Sequence, residues 1–220
     1  MKRAVSIVVG ALAIAALAFV TDQARRTLIV LDEVERERDT WQRPDEIIRR
    51  LDAYPGNTVL DFGSGAGYFS LRIAPHISPG GRVLAVDLRR TSLAFLWMRA
   101  VSRDAGVNVI HGQVNGVMLP PGPVDAVLIA NTYHELATPD PIVAALFNAM
   151  RSGGRLVVAD RFAHDDAAAH QSTSAHDGVS VNAVEAVINR HGFRTVEKDL
   201  HFIERQAAHD SWWLIVFTKP

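Results

Sequence analysis

The sequence predicts an α/β fold: a doubly wound, mostly parallel sheet of seven strands with an antiparallel last strand, preceded by an apolar amino-terminal helix. Three observations carry this prediction. Short runs rich in Val, Leu and Ile alternate with helical patterns through the body of the chain, as in parallel sheets covered on both faces. A glycine-punctuated turn follows the first such run in "TVLDFGSGAGYFSLRIA". The tail places two apolar runs in succession without a helix between them, which predicts a final antiparallel pair.

The first element is the uncharged run "AVSIVVGALAIAALAFV", 17 residues from Ala4 to Val20, behind Lys2 and Arg3. A basic flank, an apolar stretch and small residues at Ala16 and Ala18 read as a signal peptide. Uncleaved, the run is at the lower limit for spanning about 30 Å of hydrocarbon. Residues 1–24 are therefore expected to be a signal or anchor, giving membrane contact or export, and 25–43 a charged tether or amino-terminal arm. Arg25 and Arg26 nearly balance Lys2 and Arg3, so the charges set no orientation. A helix starts at "RPDEIIRRL", with Pro44 in its first turn, Asp45 and Glu46 at its positive end, and Ile47, Ile48 and Leu51 as an apolar face. Trp41 and Gln42, just ahead, either close over a ligand or pack on the core.

Strands are expected at 58–62, 82–87, 108–111, 126–131 and 155–160, with helices at 67–74, 92–105 and 141–150 between them. A helix near 181–191 stops at Gly192, a strand near 193–200 follows, and "SWWLIVFTKP" is the last strand. Its tryptophans, Trp212 and Trp213, are read as packing residues.

Composition narrows the function. The chain's 220 residues suit one full α/β domain. A net charge of −1 without a basic block predicts no nucleic-acid surface. With no cysteine there are no disulfides, zinc–thiolate sites or thiol nucleophiles.

The glycine turn carries the chemistry. Small residues let the backbone approach a ligand closely, and the following helix offers free N–H groups. Dinucleotide-binding turns read G-x-G-x-x-G; Gly63 and Gly65 match, but Tyr68 takes the third position. The pattern here is D-x-G-x-G-x-G, from Asp61 to Gly67, with a second acid, Asp87, ending the next strand. It resembles motif I of class I S-adenosylmethionine-dependent methyltransferases, whose fold is Rossmann-like. The resemblance covers about residue 39 to the carboxyl terminus, and the leader, "WQRPDEII" and "NTYHEL" make the chain similar to bacterial predicted methyltransferases.

The resemblance implies S-adenosyl-L-methionine as cofactor. Asp61, Gly63, Ser64, Gly65 and Gly67 would hold its amino acid part, Asp87 and Leu88 its ribose, and Gln113 or Asn115 its adenine. Asn131 closes the site from the fourth strand. A carboxylate suits the ribose because its two oxygens accept both hydroxyls. Methyl transfer needs alignment and water exclusion, and a base only where the acceptor loses a proton. His134 is the candidate base and Tyr133 its neighbour, with Glu135 beside them; a helix start with solvent contacts is the alternative reading. The acceptor is expected to be a small molecule. The cluster His164, Asp165, Asp166, His170, His176 and Asp177 matches no familiar metal spacing, and no metal site is expected; it reads as a loop over the acceptor pocket. A non-catalytic cofactor-binding protein and a nicotinamide-dependent oxidoreductase are the competing readings. Cysteine-dependent arsenic methylation is excluded.

Overall fold

The computed structural model describes residues 2–113, 122–162, 179–205 and 210–220, without the side chains of 2–8 and 11. It divides into two units, residues 1–40 and 41–220. The first is one helix, α1 (Lys2–Asp39), which runs unbroken through both the apolar run and the charged segment after it. Leu12, Ile14, Leu17 and Phe19 on it are exposed. No helix among the described residues is long and apolar enough to cross a membrane.

The second unit holds the sheet. Its elements are α2 (Pro44–Arg50), β1 (Thr58–Phe62), α3 (Ser70–His76), β2 (Arg82–Asp87), α4 (Arg90–Ser102), β3 (Val107–His111), β4 (Val124–Ala130), a 3₁₀ turn (Tyr133–Glu135), α5 (Pro139–Ala149), β5 (Met150–Arg161), α6 (Val181–Arg190), β6 (Arg194–Arg205) and β7 (Asp210–Thr218). The seven strands lie in the order β3-β2-β1-β4-β5-β7-β6. β1 to β5 pair in parallel, and β7 runs antiparallel to both of its neighbours, β5 and β6. The antiparallel last strand is thus as expected.

Strand alternation supplies both cores. In β4, Val127 and Ile129 face one side with α5 and α6, where Ile142, Val143, Leu146, Val184 and Ile188 are buried. Ala126 and Leu128 face the other with α2 and α3, where Ile47, Ile48, Leu51 and Ile73 are buried. Each such side chain contributes about 1.5–3 kcal/mol on burial, so a strand buried on both faces is held from both sides. β1 has all five residues buried. Trp212 and Trp213 are fully buried in β7, each donating its indole N–H, to Asp210 Oδ1 at 2.8 Å and to the Arg161 carbonyl at 3.1 Å. Packing, as the sequence implied, is their role.

Several boundaries moved, two of them with a clear backbone cause. The helix expected at 67–74 begins at Ser70, because Gly67 sits at φ +96°, outside helical geometry. β5 begins at Met150, five residues before the expected Arg155, with a register irregularity between Val124 and Ala126 opposite Arg151 to Gly154.

Candidate functional site

The strand order reverses between β1 and β4, the point where an open α/β sheet leaves a crevice at the strands' carboxyl ends. The loops leaving these two strands touch. Gly63 lies at φ +80°, and a Cβ built there would stand 2.2 Å from Thr132 Oγ1. The same loop leans on β2, since the N–H groups of Gly63 and Ser64 both donate to the Val86 carbonyl, at 2.8 and 3.0 Å. Gly65 differs: at φ +54°, its missing Cβ would meet nothing within 4 Å among the described residues, where it faces open space. Gly67 is packed instead, its virtual Cβ 2.2 Å from Leu96 Cδ1 of α4.

Asp87, at the end of β2, joins this turn. Its Oδ2 accepts the Gly65 N–H at 2.8 Å and its Oδ1 the Arg89 N–H at 2.7 Å. Leu88 beside it is exposed. Asp61 is nearly fully buried and accepts the Ser70 hydroxyl at 2.5 Å, tying the end of β1 to the first turn of α3. In these two loops, the buried Ser64 Oγ and Asn131 Oδ1 have no hydrogen-bond partner among the described residues. Asn131 also holds φ +54°, a left-handed conformation that its short polar side chain tolerates better than most. Gln113 is exposed, and no described contact links it to the turn. Asn115 and the whole His164–Asp177 cluster lie outside the described residues.

On the other wall stands the 3₁₀ turn. Tyr133 is buried in the core beside Ile142 and Val143, its hydroxyl unpartnered among the described residues. Burial, with a smaller push from Asp140, drives that phenol up to about 12. His134 turns the other way, its Nδ1 at 2.8 Å from Asp160 Oδ1. This hydrogen bond raises the imidazole above its ordinary range, against the opposing effect of burial. Tyr133 and His134, predicted as a pair, therefore lie in different surroundings. Trp41 packs edge-on against Trp212 at 5.8 Å, with Arg205 stacked over it at 4.1 Å, and Gln42 is fully buried.

Residues 59–154 match the family model of a methyltransferase domain. An uncharacterised methyltransferase of Geobacillus thermodenitrificans is 28% identical over 147 residues, covering 64% of both chains. A demethylmenaquinone methyltransferase of Thermus thermophilus is 29% identical over 100 residues, covering 46% of this chain and 45% of that one. The chain spans less than two thirds of the length of either relative. A SAM-dependent methyltransferase of Aquifex aeolicus superposes with a TM-score of 0.67 at 20% identity, over 81% of this chain and 90% of that one.

Over residues 59–154 the chain is similar to a methyltransferase domain, and it shares the fold of a SAM-dependent methyltransferase of known structure.

S-adenosylmethionine is the cofactor named for that solved relative, and the residues present here fit it. Its ammonium, carboxylate and ribose hydroxyls need acids, N–H groups and small residues. Among the described residues the structure brings together a turn open at Gly65, a strand-end acid bonded to it, and buried Ser64 and Asn131 atoms that lack partners. Buried polar atoms without partners are rare in folded proteins and commonly mark a ligand or water site.

Two residues near the turn were not singled out from the sequence. Asp160, fully buried at the end of β5, holds the 3₁₀ turn. Its signal was present: "VVADR" is a third acid closing an apolar strand, after Asp61 and Asp87. Arg99 is buried on α4 and donates from Nη1 to the Ala66 carbonyl at 2.7 Å. It stands at helical spacing from Leu96 and Leu93, on the face that should be apolar. A charge there signals a partner across the interface.

Proposed function

We propose that this protein transfers the methyl group of S-adenosylmethionine to a small-molecule acceptor. The observation that carries the proposal is the Asp87 carboxylate bonded to the Gly65 N–H at the switch point of the sheet. Asp87 would receive the ribose hydroxyls, Gly65 would pass beneath the ligand, and Ser64 and Asn131 would give their unpartnered atoms to its polar groups. Asp61 would act from the end of β1, through its charge and its hold on Ser70. When bound, the cofactor supplies a methyl group made electrophilic by a positively charged sulfur. The chain's own work is to align the acceptor and exclude water.

Calorimetric titration of S-adenosylmethionine into the full chain tests the proposal, with NAD as comparison. Saturable binding of S-adenosylmethionine alone is expected, and its absence in folded protein refutes the reading. Transfer of label from methyl-tritiated cofactor to any of a broad panel of small molecules separates an enzyme from a silent binder.

Export or membrane contact through the amino-terminal run belongs to the same proposal. Its support is the set of exposed apolar side chains on α1, with Leu12, Ile14, Leu17 and Phe19 each at least 65% exposed. Cell fractionation with an antibody to the domain tests it; recovery of the intact chain wholly in the cytosolic fraction would count against it.

A further inference from the structure

We propose that His134 takes the acceptor's proton at Nε2, that Asp160 positions it, and that the acceptor is accordingly a protic group, a neutral hydroxyl or N–H. The inference rests on the methyl-transfer reading above.

Three N–H groups converge on the buried Asp160 carboxylate. Oδ1 accepts the ring of His134 at 2.8 Å and the Arg161 backbone N–H at 2.8 Å, while Oδ2 accepts the His134 backbone N–H at 3.2 Å. An ionised carboxylate only accepts hydrogen bonds, so Nδ1 carries the proton of the neutral ring and the lone pair lies on Nε2. The same acid fixes both the backbone and the ring of one residue, which leaves the imidazole little freedom to turn.

Among the described residues no hydrogen bond reaches Nε2. Glu135 Oε1 is 3.9 Å away, beyond hydrogen-bonding distance. The side chain is 7% exposed, with Nδ1 held by Asp160 and Nε2 without a hydrogen-bond partner among the described residues. Its location agrees. His134 stands two residues after Thr132, the residue against which Gly63 of the cofactor turn lies. The charged groups facing the ring are Asp160 of β5 and Glu135 of its own turn, which favour its protonated form, and Arg161 of β5, which opposes it.

The balance is that of a substitution. A bond forms between the acceptor's oxygen or nitrogen and the methyl carbon. The carbon–sulfur bond breaks with its electron pair going to sulfur, and the acceptor's proton goes to Nε2, from which solvent removes it. An acceptor with only a lone pair would need no base, and Asp160 would have no proton to steady.

The test is a titration of histidine labelled with nitrogen-15 in the full chain, followed by long-range proton–nitrogen spectra, with His134→Gln identifying the signal. Titrations are run with S-adenosylmethionine and with S-adenosylhomocysteine, each shown bound by calorimetry. They differ in one positive charge on sulfur. A base one hydrogen bond and one attack distance from that sulfur stands roughly 6–7 Å away. A unit charge at that distance lowers its titration midpoint by about half a pH unit or more, even in a water-like dielectric. The expected result is an Nδ1-protonated neutral ring and a midpoint lower with S-adenosylmethionine than with S-adenosylhomocysteine. A neutral ring protonated at Nε2, or equal midpoints with both ligands bound, overturns the inference and leaves the cofactor reading standing. Failure of both ligands to bind overturns that reading as well. Asp160→Asn should lower the midpoint of the ring; an unchanged midpoint in folded protein removes Asp160 from the proposal. Should the variant not fold, the comparison of the two ligands on the natural chain still decides.

Discussion

Gly63→Ala probes the contact on which the site depends, that between the loops leaving β1 and β4. The new methyl carbon would stand 2.2 Å from Thr132 Oγ1, 2.3 Å from Cγ2 and 2.7 Å from Cβ. Holding a residue other than glycine at φ +80° costs about 1–2 kcal/mol. Thr132 is stiff at χ1 because its Cβ is branched, so it moves by giving up its hydrogen bond to the Ala130 carbonyl at 3.1 Å. That loss is about 0.5–1.5 kcal/mol, and overpacking adds about 1–3 kcal/mol. The substitution should therefore destabilise the domain by about 3–6 kcal/mol, with a fall in Tm of roughly 10 °C or more. Thr132→Ala removes the two nearest atoms and leaves Cβ at 2.7 Å, so it should relieve part of the overpacking. Denaturant unfolding of both single variants and the double variant measures this as a coupling of about 1 kcal/mol or more. Additive effects, within about 0.5 kcal/mol, would mean that the two loops do not touch, and the account of the crevice would fail.

Three further outcomes follow from the same geometry. Asp87→Ala should weaken S-adenosylmethionine binding by roughly 10- to 100-fold in calorimetry, since hydrogen bonds to a charged group are worth about 1.5–3 kcal/mol each; it should also loosen the Gly65 turn while the domain stays folded. Arg99→Met removes the bond to the Ala66 carbonyl, so hydrogen exchange at Gly65–Gly67 should quicken and cofactor affinity fall, although Arg99 touches no cofactor. Because Asp160 raises His134 in the folded state, this pair adds stability that is full below the free imidazole value near 6.5. That contribution disappears as pH rises through the folded value. Unfolding free energies measured across this window should show the decline in the natural chain and a flatter profile in His134→Gln; parallel profiles would contradict the dyad.

Much of this was legible in the residues themselves. β1 and β2 fall where their apolar runs predicted, since a strand buried on both faces admits only apolar residues between its turn signals. The glycine turn and Asp87 were readable because a left-handed backbone and a strand-end acid leave a residue-level mark. Element ends were less so: Gly67 looked like a helix start and is the last residue before Tyr68 and Phe69 lead into α3, a matter of φ rather than composition. The 3₁₀ turn was seen as one cluster, "NTYHEL", but Tyr133 enters the core while His134 is held by Asp160. Three residues per turn send Tyr133 and His134 in different directions.

The sequence by itself determined the alternation of strands and helices, the reversed last strand, the glycine turn and the acid after it, because each follows from side-chain period, backbone freedom or local spacing. Only the tertiary structure decided which distant residues meet. Thr132 lies against Gly63, Arg99 against Ala66, and Asp160 under His134, pairs separated by 26 to 69 positions in the chain. Such meetings are set by the strand order β2-β1-β4-β5 and the register of its ladders. No local signal encodes that order, since the energy that selects it comes from burying both faces of the whole sheet at once.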